Sequence, residues 1–455
     1  MQPKLSVIIL AAGKGTRMKS ILPKVLHPLA GKPMLSHVYD TSRALSANEI
    51  VIVYGHGGEL LPKECEAFEA SWVEQKEQLG TGHAVEHALR EACKENLALV
   101  LYGDVPLITA ASLQKLIQKI DNTKLGLMTF YPQTPKGYGR IVRNGVGEVV
   151  KIVEEKDADD CIRQINEVNT GILAANAGVL ESLLEKVENN NVQKEFYLTD
   201  VVGLAVDAGL DIVTTQPDFG YEVEGVNDRI QLARLERIYQ VNVADALMKN
   251  GATIIDPARI DIRGSLTIGQ DVLIDINTVF EGHVHLENGV RVGAGCVIKD
   301  SRIGENSVIK PYSVVEEAAI ERGVEVGPFA RVRPGTHLQN GSRIGNFVET
   351  KKASIGEGSK VNHLSYIGDS EVGKNVNIGA GTITCNYDGA NKHKTIIEDG
   401  VFVGSDTQLV APVVVGRNAT IGAGSTITRD VEAEVLALSR TNQKSVAGWK
   451  RPTKK

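Results

Sequence analysis

A short motif that returns at multiples of six residues constrains the fold of this chain more than any other feature. From about Thr267 to Asp430, an isoleucine or valine is repeatedly followed by glycine, at steps of 6, 12, 18 or 24 residues or one residue off. A six-residue period is typical of stacked coils, because each hexad supplies one short strand with an inward aliphatic residue and then a turn that glycine permits. Three hexads close one triangular coil, so the sequence predicts a parallel β-helix. The residues that precede the glycines stand at positions 268, 292, 303, 326, 344, 355, 367, 372, 378, 403, 415 and 421.

An all-β sandwich is the alternative for a glycine-rich stretch of short strands. Sandwich strands recur at looser spacings of about 8 to 12 residues, so the hexad period favours the β-helix. One long gap in the period, after Ile378, contains Thr384–Lys394, which is too polar for an edge of the coil. We expect this stretch to leave the coil as a loop, and loops on a rigid scaffold often carry function.

The whole chain is too long for a single core. At 455 residues, two or three domains are expected. A net charge of -6 argues against nucleic acid as the main partner, and no apolar run approaches the roughly 20 residues of a membrane span. The apolar run Leu5–Ala12 ends in a charged loop rather than in a signal-peptide cleavage site. The five cysteines lack the spacing of a zinc site or a disulfide framework, which fits a reducing cytoplasm.

The N-terminal part of the chain alternates predicted strands with predicted helices. Strands are predicted at Ser6–Leu10, Ile50–Val53 and Leu97–Tyr102, and helices at Pro33–Leu45 and His83–Cys93. This alternation is typical of an α/β domain with a Rossmann-like, mostly parallel sheet that is covered by helices on both faces. Ligands of such domains bind beyond the carboxyl ends of the strands, so we expect a site there.

A glycine loop follows the first predicted strand. The loop LAAGKGTRM at Leu10–Met18 carries Lys14 and Arg17, and Lys24 follows shortly after it. Glycines let backbone N–H groups approach phosphate oxygens, and the cationic side chains add charge where a triphosphate would lie. The loop lacks the patterns of a dinucleotide-binding fold and of a P-loop. A simple turn is the alternative, and the loop alone does not decide between the two.

A carboxylate follows the third predicted strand. Asp104 stands just after the apolar run Leu97–Tyr102 and before Pro106. Mg²⁺ takes few protein ligands and also binds phosphate oxygens, so a strand-end aspartate beside a phosphate-binding loop is a suitable anchor. The alternative is an aspartate that begins a turn. The two motifs together favour the anchor.

These motifs, in this order, resemble those of the sugar-1-phosphate nucleotidyltransferases. With the hexad coil added, nearly the whole chain is similar to the bacterial family of bifunctional N-acetylglucosamine-1-phosphate uridyltransferases and glucosamine-1-phosphate N-acetyltransferases. The resemblance implies acetyl transfer from acetyl-CoA to glucosamine 1-phosphate, then uridylyl transfer from UTP with release of pyrophosphate. The product, UDP-N-acetylglucosamine, is a precursor of peptidoglycan and lipopolysaccharide. The resemblance rests on Leu10–Met18, Gln75, Gly80–Thr81, Tyr102–Asp104, Gly137–Arg140, Glu154, Glu167–Gly171 and Glu224–Asn227.

The resemblance also implies the residues of the nucleotidyl-transfer site. The loop after the first strand would hold the nucleotide, Gln75 would help to read the uracil, and Asp104 and Asn227 would hold one Mg²⁺. Asn227 has a second interpretation, because Asn227 and Asp228 stand where a helix begins and can cap it. Catalysis then needs little beyond positioning and charge neutralisation. The implied nucleotide- and sugar-binding residues are Leu10, Ala11, Ala12, Gly13, Arg17, Lys24, Gln75, Gly80, Thr81, Tyr102, Gly103, Asp104, Gly139, Glu154, Asn169 and Asn227.

The second implied site lies on the coil. Amide formation needs a base that takes the ammonium proton, and histidine is suited to this near neutral pH. A lone histidine in a repeat is more often a surface residue, but His363 opens the segment HLSYIGD, which matches the family pattern. The implied acetyl-acceptor-binding residues are Arg333, Lys351, Tyr366, Asn377, Asn386 and Tyr387, and the implied acetyl-CoA-binding residues are Ala380, Ser405, Ala423 and Arg440.

A long helix is predicted between the two parts, at Asp228–Lys249, with Gly251 as a stop. At about 1.5 Å per residue it spans roughly 30 Å, so we expect a stiff linker. The expected domains are a nucleotidyltransferase at 1–227, a linker helix at 228–250 and an acetyltransferase β-helix with a C-terminal tail at 251–455. The family resemblance further implies a left-handed coil and a homotrimer, since a flat coil face encloses a ligand only when a neighbour covers it.

Two other functions fit the same domain plan. One is a nucleotidyltransferase whose coil serves only assembly or regulation, as in relatives that make ADP-glucose, and His363 argues against it. The other is a non-catalytic regulatory subunit, as in translation-factor exchange complexes. Arg17, Lys24 and Asp104, all present here, argue against that function.

Overall fold

The computed structural model describes residues 4–13, 15–55 and 58–454. The chain folds into two compact units, Met1–Tyr239 and Gln240–Lys455. All five cysteines are free thiols. No helix in the described part of the chain is both long and apolar enough to cross a membrane.

The first unit is built on a β-sheet with helices on both faces. Its strands, including the separate hairpin β2–β3, are β1 (Leu5–Leu10), β2 (Pro28–Leu29), β3 (Lys32–Pro33), β4 (Glu49–Gly55), β5 (Ser71–Gln75), β6 (Leu97–Tyr102), β7 (Lys124–Phe130), β8 (Arg140–Arg143), β9 (Val149–Val153), β10 (Val168–Asn176) and β11 (Asp211–Thr215). Its helices are α1 (Met34–Ala44), α2 (Leu60–Glu64), α3 (Thr81–Leu89), α4 (Ala110–Ile117), α5 (Asp160–Arg163), α6 (Ala177–Leu184), α7 (Asp200–Asp207) and the start of α8 (Arg229–Lys249), with 3₁₀ turns at Thr16–Met18, Lys24–Leu26 and Gly220–Val223.

The central strands are buried on both faces of this sheet. Every residue of β1 is buried, and alternate residues enter different cores: Val7 and Ile9 pack on one face, and Ile8 and Leu10 on the other. Uninterrupted apolar strands are expected where helices cover both faces. The path through the sheet is β11-β7-β10-β6-β1-β4-β5. Because β1 runs parallel to β4 and β6, the carboxyl ends of these strands meet at one edge.

The mostly parallel sheet agrees with the prediction, whereas one helix differs from its predicted bounds. Strand β10 runs antiparallel to both β6 and β7, so the sheet is mostly but not wholly parallel. Helix α3 begins at Thr81 and ends at Leu89, earlier at both ends than predicted. After Leu89 the chain tightens, since the Glu91 and Ala92 N–H groups donate three residues back, to the carbonyl oxygens of Ala88 and Leu89. The Cys93 N–H then donates to Glu49 Oε2 (3.1 Å) and not to a helical carbonyl oxygen.

The predicted long helix is present as α8. Asp228 caps it, since Asp228 Oδ1 accepts from the N–H groups of Ile230 and Gln231 at 2.9 Å each. In the first unit, Leu235 of α8 is buried in a small apolar cluster. In the second unit, the buried Gln240 side chain forms hydrogen bonds with the backbone N–H and C=O of Ile262. These bonds attach the second half of α8 to the first coil.

The second unit is a stack of parallel coils. Its strands are β12 (Thr253–Ile254), β13 (Ile260–Ile268), β14 (Leu273–Ile274), β15 (Thr278–Leu286), β16 (Arg291–Val292), β17 (Val297–Lys299), β18 (Arg302–Ile303), β19 (Val308–Ile309), β20 (Val314–Glu316), β21 (Ala319–Ile320), β22 (Glu325–Val326), β23 (Arg331–Val332), β24 (His337–Leu338), β25 (Arg343–Asn346), β26 (Glu349–Ile355), β27 (Lys360–His363), β28 (Tyr366–Val372), β29 (Asn377–Ile378), β30 (Ile383–Cys385), β31 (Thr395–Ile397), β32 (Phe402–Val403), β33 (Gln408–Val410), β34 (Val413–Val415), β35 (Thr420–Ile421), β36 (Thr426–Ile427) and β37 (Leu436–Ala437), with a 3₁₀ turn at Pro257–Arg259.

The register of the coils explains the hexad period. On one face, Leu273 lies beside Arg291 and Arg291 beside Val308, so one coil uses about three hexads. The aliphatic residue of each rung points inward, and these residues form one continuous apolar core. On this face the core residues are Ile274, Val292, Ile309, Val326, Ile344, Val361, Ile378, Val403 and Ile421, all buried.

The glycines of the motif serve close stacking more than turning. A Cβ on Gly345 would lie 1.9 Å from the Asn362 carbonyl oxygen, and one on Gly404 would lie 2.5 Å from the Ala423 nitrogen. Neither glycine has a left-handed backbone. At these two glycines the space between coils, and not the dihedral angle, excludes a side chain.

One corner of the coil carries a column of exposed apolar residues, which we call the corner ladder: Tyr312, Phe329, Phe347 and Leu364. Each has a left-handed backbone, with φ between 46° and 59°, which bulky residues seldom adopt. The rings stack, with centroids 5.2 Å apart for Tyr312 and Phe329 and 5.5 Å apart for Phe329 and Phe347. All four side chains are about half exposed or more. The ladder thus holds apolar surface at a corner where solvent reaches it.

Two candidate active sites

A cleft of about 320 Å³ opens at the edge where β1 and β6 end. The cleft lies where Leu10 pairs with Tyr102, so the glycine loop and Asp104 face the same space. Lys14 of the predicted loop lies outside the described residues. The cleft is lined by the predicted residues Leu10, Ala11, Ala12, Gly13, Lys24, Gln75, Gly80, Thr81, Tyr102 and Asp104, and by Val25, Gln78, Ala84 and Glu195, which were not predicted.

One ion pair and one hydrogen bond lie where the glycine loop meets Asp104 and Asn227. The Lys24 ammonium forms an ion pair with the Asp104 carboxylate, and both side chains are largely buried. Arg17 Nη2 donates to Asn227 Oδ1 at 2.8 Å. The Val226 N–H donates to the Asp104 carbonyl oxygen (2.9 Å), which brings the chain at Asn227 beside Asp104. The sequence-distant residues predicted at this end therefore meet.

The donor set at Asp104 and Asn227 fits Mg²⁺. A carboxylate and an amide oxygen are hard ligands, and Mg²⁺ commonly binds one or two protein oxygens and completes its shell with phosphate oxygens and water. Asn227 Oδ1 is not used to cap α8, since Asp228 does so; it accepts from Arg17. The cations Arg17 and Lys24 hold both oxygens in place.

The far end of the cleft is shaped by the turn before α3. Gly80 has a φ of 122°, and a Cβ there would lie 2.5 Å from the Phe196 carbonyl oxygen. Thr81 Oγ1 accepts from the Leu198 N–H at 3.1 Å. Gln75 is buried and donates from Nε2 to the Gly80 carbonyl oxygen at 3.0 Å. The Thr81–Leu198 hydrogen bond joins the turn before α3 to the segment before α7. Gln75 lies in the wall of the cleft beside this turn.

The predicted sugar-binding residues gather around Tyr102. The Asn169 N–H donates to the Gly139 carbonyl oxygen (2.8 Å), and a Cβ on Gly139 would lie 3.3 Å from Glu154 Oε1. Burial raises the pKa of the Glu154 carboxyl above its usual value, while its hydrogen bond from Thr199 opposes that shift. A small recess, mostly apolar, lies beside Tyr102 and is lined also by Leu127, Ile152, Asn169, Gly171, Leu173, Leu198 and Thr199.

Some cleft residues had weak or no sequence signals. Gln78 Nε2 donates to the Ala12 carbonyl oxygen at 2.6 Å and so fixes the glycine loop. Its position three residues after Gln75 was the available signal. Glu195 comes from the segment before α7, which bears no motif. Gly103 is buried below the cleft, where its N–H donates to the Leu10 carbonyl oxygen (2.9 Å).

The second site surrounds His363 at a corner of the coil. The side chain is exposed, and Nδ1 lies 2.9 Å from Asn346 Oδ1 on the preceding coil. Because Asn346 Oδ1 can only accept, Nδ1 carries the proton and Nε2 keeps a free lone pair. This is the tautomer that a general base requires. Tyr366 follows on β28, and Asn377 begins β29, which pairs with the strand that carries His363.

Three cations of the same coil region, Arg333, Lys351 and Lys392, lie close to one another. Arg333 donates to Glu349 Oε1 at 2.6 Å. The charge of Lys392, and then that of Arg333, lowers the pKa of the Lys351 ammonium below its usual value. Positive groups held this close indicate a site for an anion. Sequence reasoning missed Lys392, although it lies in the predicted loop, because its position relative to Lys351 depends on how that loop folds back.

The predicted excursion is an ordered loop between β30 and β31. Asp388 Oδ1 accepts from the N–H groups of Ala390 and Asn391, and Asp388 Oδ2 lies 2.7 Å from His393 Nε2. Asn386 donates to Asp369 one coil earlier. The exposed Tyr387 pairs with Lys392 through an antiparallel β-bridge of their backbones. The loop therefore presents Tyr387 and Lys392 from a fixed base.

The predicted acetyl-CoA residues line up along the coil corner that His363 begins. The His363 carbonyl oxygen accepts from the Gly381 N–H at 3.4 Å, and the Ala380 carbonyl oxygen from the Asp406 N–H at 2.7 Å. One coil further, the Ser405 carbonyl oxygen accepts from the Gly424 N–H at 2.8 Å. The column is completed by Arg440, whose Nη1 donates to the Ala423 carbonyl oxygen at 2.8 Å.

Comparison with known proteins covers both units. The family of MobA-like NTP transferase domains matches residues 7–172, and the bacterial transferase hexapeptide family (six repeats) matches residues 265–300 and 394–429. The bifunctional protein GlmU of Azoarcus sp. (strain BH72) is 56% identical over 450 residues, which cover 99% of this chain and 100% of the relative. The bifunctional protein GlmU of Nitrosospira multiformis is 57% identical over 453 residues, covering 99% of this chain and 98% of the relative.

These relationships confirm the predicted fold class, an α/β nucleotidyltransferase followed by a left-handed parallel β-helix of hexapeptide repeats. They also confirm the predicted activity: the chain is an enzyme that makes UDP-N-acetylglucosamine by acetyl transfer and then uridylyl transfer. The alternatives of a single transferase and of a non-catalytic subunit are thereby excluded. The chain belongs to the GlmU family of bifunctional uridyltransferases and acetyltransferases.

Proposed function

We propose that the cleft at the ends of β1 and β6 is the uridyltransferase site and that the corner at His363 is the acetyltransferase site. The observation that carries the first assignment is the meeting of Lys24, Asp104 and the glycine loop in one cleft. A phosphate oxygen of N-acetylglucosamine 1-phosphate attacks the α-phosphorus of UTP, and pyrophosphate leaves. Lys24 and Arg17 hold the triphosphate, so positioning and charge neutralisation carry the reaction.

Asp104 and Asn227 hold one Mg²⁺ when the nucleotide is bound. The ion supplies charge neutralisation between the phosphate groups. Lys24 then has two partners, the Asp104 carboxylate and the phosphate oxygens, and it keeps the carboxylate oriented before the nucleotide arrives. Gln75, Gly80 and Thr81 face the uracil. The remaining predicted contacts of this site, Gly103, Gly139, Glu154 and Asn169, surround or support the sugar.

The recess beside Tyr102 receives the acetyl group of the sugar. Leu127, Ile152 and Leu173 give it an apolar wall that suits a methyl group but not an ammonium group, since a charge there would lose its hydration. Acetylation therefore precedes uridylyl transfer, and the sugar site itself enforces the order.

In the acetyltransferase site, His363 Nε2 takes a proton from the ammonium group of glucosamine 1-phosphate. The freed amine attacks the thioester of acetyl-CoA, the amide bond forms, and the coenzyme A thiolate leaves. Arg333, Lys351 and Lys392 bind the sugar phosphate, with Tyr366, Asn377, Asn386 and Tyr387 around the sugar. Coenzyme A lies along the column formed by Ala380, Ser405, Ala423 and Arg440.

An assay of the unmodified protein tests this order of reactions. We expect thiol release from acetyl-CoA with glucosamine 1-phosphate, and pyrophosphate release from UTP with N-acetylglucosamine 1-phosphate. Without acetyl-CoA, glucosamine 1-phosphate should yield pyrophosphate at least about tenfold more slowly, because the unacetylated amine leaves the apolar recess empty or charged. Equal rates of pyrophosphate release from the two sugar phosphates would contradict the assignment of the recess.

We also propose that three copies assemble through the β-helix, in the cytoplasm, where UTP and acetyl-CoA are available. The corner ladder is an apolar column of the kind that marks interaction surfaces, and its last member, Leu364, adjoins His363. A neighbouring copy seated on the ladder would border the base and close the open face of the site. The free thiols of the cysteines suit a reducing compartment.

Replacing Phe329 by Asp is expected to break this assembly. The substitution places a charge at the centre of the ladder, where Phe329 stacks between Tyr312 and Phe347, and desolvating a carboxylate there is unfavourable. Light scattering after gel filtration should show the mass falling from three chains to one, with loss of acetyl transfer and retention of uridylyl transfer. The matched control is Phe219→Asp, an exposed phenylalanine of the first unit, which should remain trimeric. A trimer of unchanged stability in Phe329→Asp would refute this interface.

A further inference from the structure

The orientation of the Gln75 amide is set by two acceptors. Gln75 Nε2 lies 3.0 Å from the Gly80 carbonyl oxygen and 3.0 Å from His83 Nδ1. A backbone carbonyl oxygen can only accept, so the Gln75 group beside it must be the NH₂ and not the carbonyl oxygen. Both hydrogen bonds of Gln75 in the described part of the chain use Nε2, which leaves Oε1 for a ligand in the cleft.

The same logic determines the proton positions on two histidines. Because Gln75 Nε2 donates, His83 Nδ1 accepts and His83 carries its proton on Nε2. His83 Nε2 lies 3.1 Å from His87 Nε2, so His87 Nε2 accepts and His87 carries its proton on Nδ1. One chain of donors and acceptors thus runs from His87 through His83 to Gln75.

The surroundings keep this series of hydrogen bonds in one arrangement. Gln75 is 3% exposed, and the two imidazoles meet edge to face with centroids 4.4 Å apart on successive turns of α3. The His83 ring also lies against the Phe196 ring, at 6.4 Å between centroids. Burial, and then the neighbouring His83, lowers the pKa of the His87 imidazole, which favours the neutral form that can accept a hydrogen bond.

We propose that His83, held in one tautomer by His87, is a positioning residue that points Gln75 Oε1 into the cleft and so selects uracil over cytosine. This inference rests on the proposed role of Gln75 at the uracil. Uracil presents an N3–H donor, which Gln75 Oε1 can accept, whereas cytosine presents an unprotonated N3 that meets Oε1 as acceptor against acceptor. A histidine that donated from Nδ1 would oppose the NH₂ group that the Gly80 carbonyl oxygen holds, and so would weaken this preference.

The test compares kcat/KM for UTP and CTP in uridylyl transfer. His83→Leu removes one of the two acceptors that hold the Gln75 NH₂ group and leaves the Gly80 carbonyl oxygen as the other. The weaker hold should reduce the preference for UTP by up to about tenfold, the effect of one hydrogen bond to an oriented group. His83→Asn places an Oδ1 acceptor near the position of Nδ1 and should retain most of the preference. His87→Leu frees the tautomer of His83 and should give an intermediate loss. Acetyl transfer should be unchanged in all three variants.

Two outcomes separate this inference from the proposed function. If Gln75→Ala keeps the full preference for UTP, Gln75 does not read the base, and both the assignment of Gln75 and this inference fail. If Gln75→Ala loses the preference while His83→Leu keeps it, only the inference fails. Equal losses in His83→Asn and His83→Leu would also overturn it, because the acceptor would then be irrelevant. A double variant, Gln75→Ala with His83→Leu, should discriminate no worse than Gln75→Ala alone.

Discussion

Replacing Asp104 by Asn is expected to reduce uridylyl transfer by roughly 10²–10³-fold while acetyl transfer stays at its unmodified rate. The substitution keeps the shape of the side chain but removes the charge that pairs with Lys24 and that would hold Mg²⁺. Because the reaction depends on positioned charge rather than on a protein nucleophile, a neutral amide cannot replace the carboxylate. Pyrophosphate release and thiol release, measured on one preparation, give the two rates.

The matched control for Asp104→Asn is Asp218→Asn. Asp218 forms an ion pair with Lys115 on the surface of the same unit, so this variant also removes a carboxylate partner of a lysine but lies outside the cleft. Both activities should persist in it. If Asp104→Asn retained uridylyl transfer within a few-fold of the unmodified protein, Asp104 would be a structural residue and the proposed metal site would be wrong.

Replacing His363 by Ala is expected to reduce acetyl transfer by roughly 10²–10⁴-fold, the usual contribution of a general base. The loss should appear in kcat, because the cations that bind the sugar phosphate remain in place. Uridylyl transfer from supplied N-acetylglucosamine 1-phosphate should be unaffected. The side chain is exposed and makes one hydrogen bond, to Asn346, so the substitution should leave the melting temperature nearly unchanged.

The coil offers a closely matched control, His283→Ala. His283 is also exposed, and its Nδ1 lies 2.8 Å from Ser265 Oγ on the preceding coil, as that of His363 lies near Asn346. It is several coils away from the proposed site, so its loss should leave both reactions intact. Loss of uridylyl transfer together with acetyl transfer in a folded His363→Ala protein would contradict independent sites.

Periodicity made the coil predictable from sequence. Each rung places an aliphatic residue, such as Val292 or Ile344, at its inward position. The hexad period is therefore visible in the sequence wherever the core is continuous. The cleft could be predicted from the sequence for a related reason. The glycine loop and Asp104 both follow buried strands, and adjacent parallel strands must end at one edge. Local pattern and topology thus agree at these places.

What sequence reasoning missed depends on contacts between distant segments. Helix α3 ends at Leu89, and the Cys93 N–H beyond it donates to Glu49, a residue distant in the sequence. Strand β10, which lies antiparallel between β6 and β7, was not predicted as a strand. Lys392 joins Arg333 and Lys351 only after its loop has folded back on Asp388. Contacts of this kind depend on the folded structure and produce no periodic pattern in the sequence.

The way the excursion at 386–394 joins the coil has a consequence for how such enzymes can be altered. Asn377 pairs with Phe402 across the inserted residues in the same two-residue register that Phe402 keeps with Thr420. The pairing of these coil strands is therefore the same with and without inserted residues between the coils. We therefore expect that this segment can be exchanged for one of different length while the coil strands keep their pairing. If the loop contacts the sugar as proposed, such an exchange should also alter sugar selectivity.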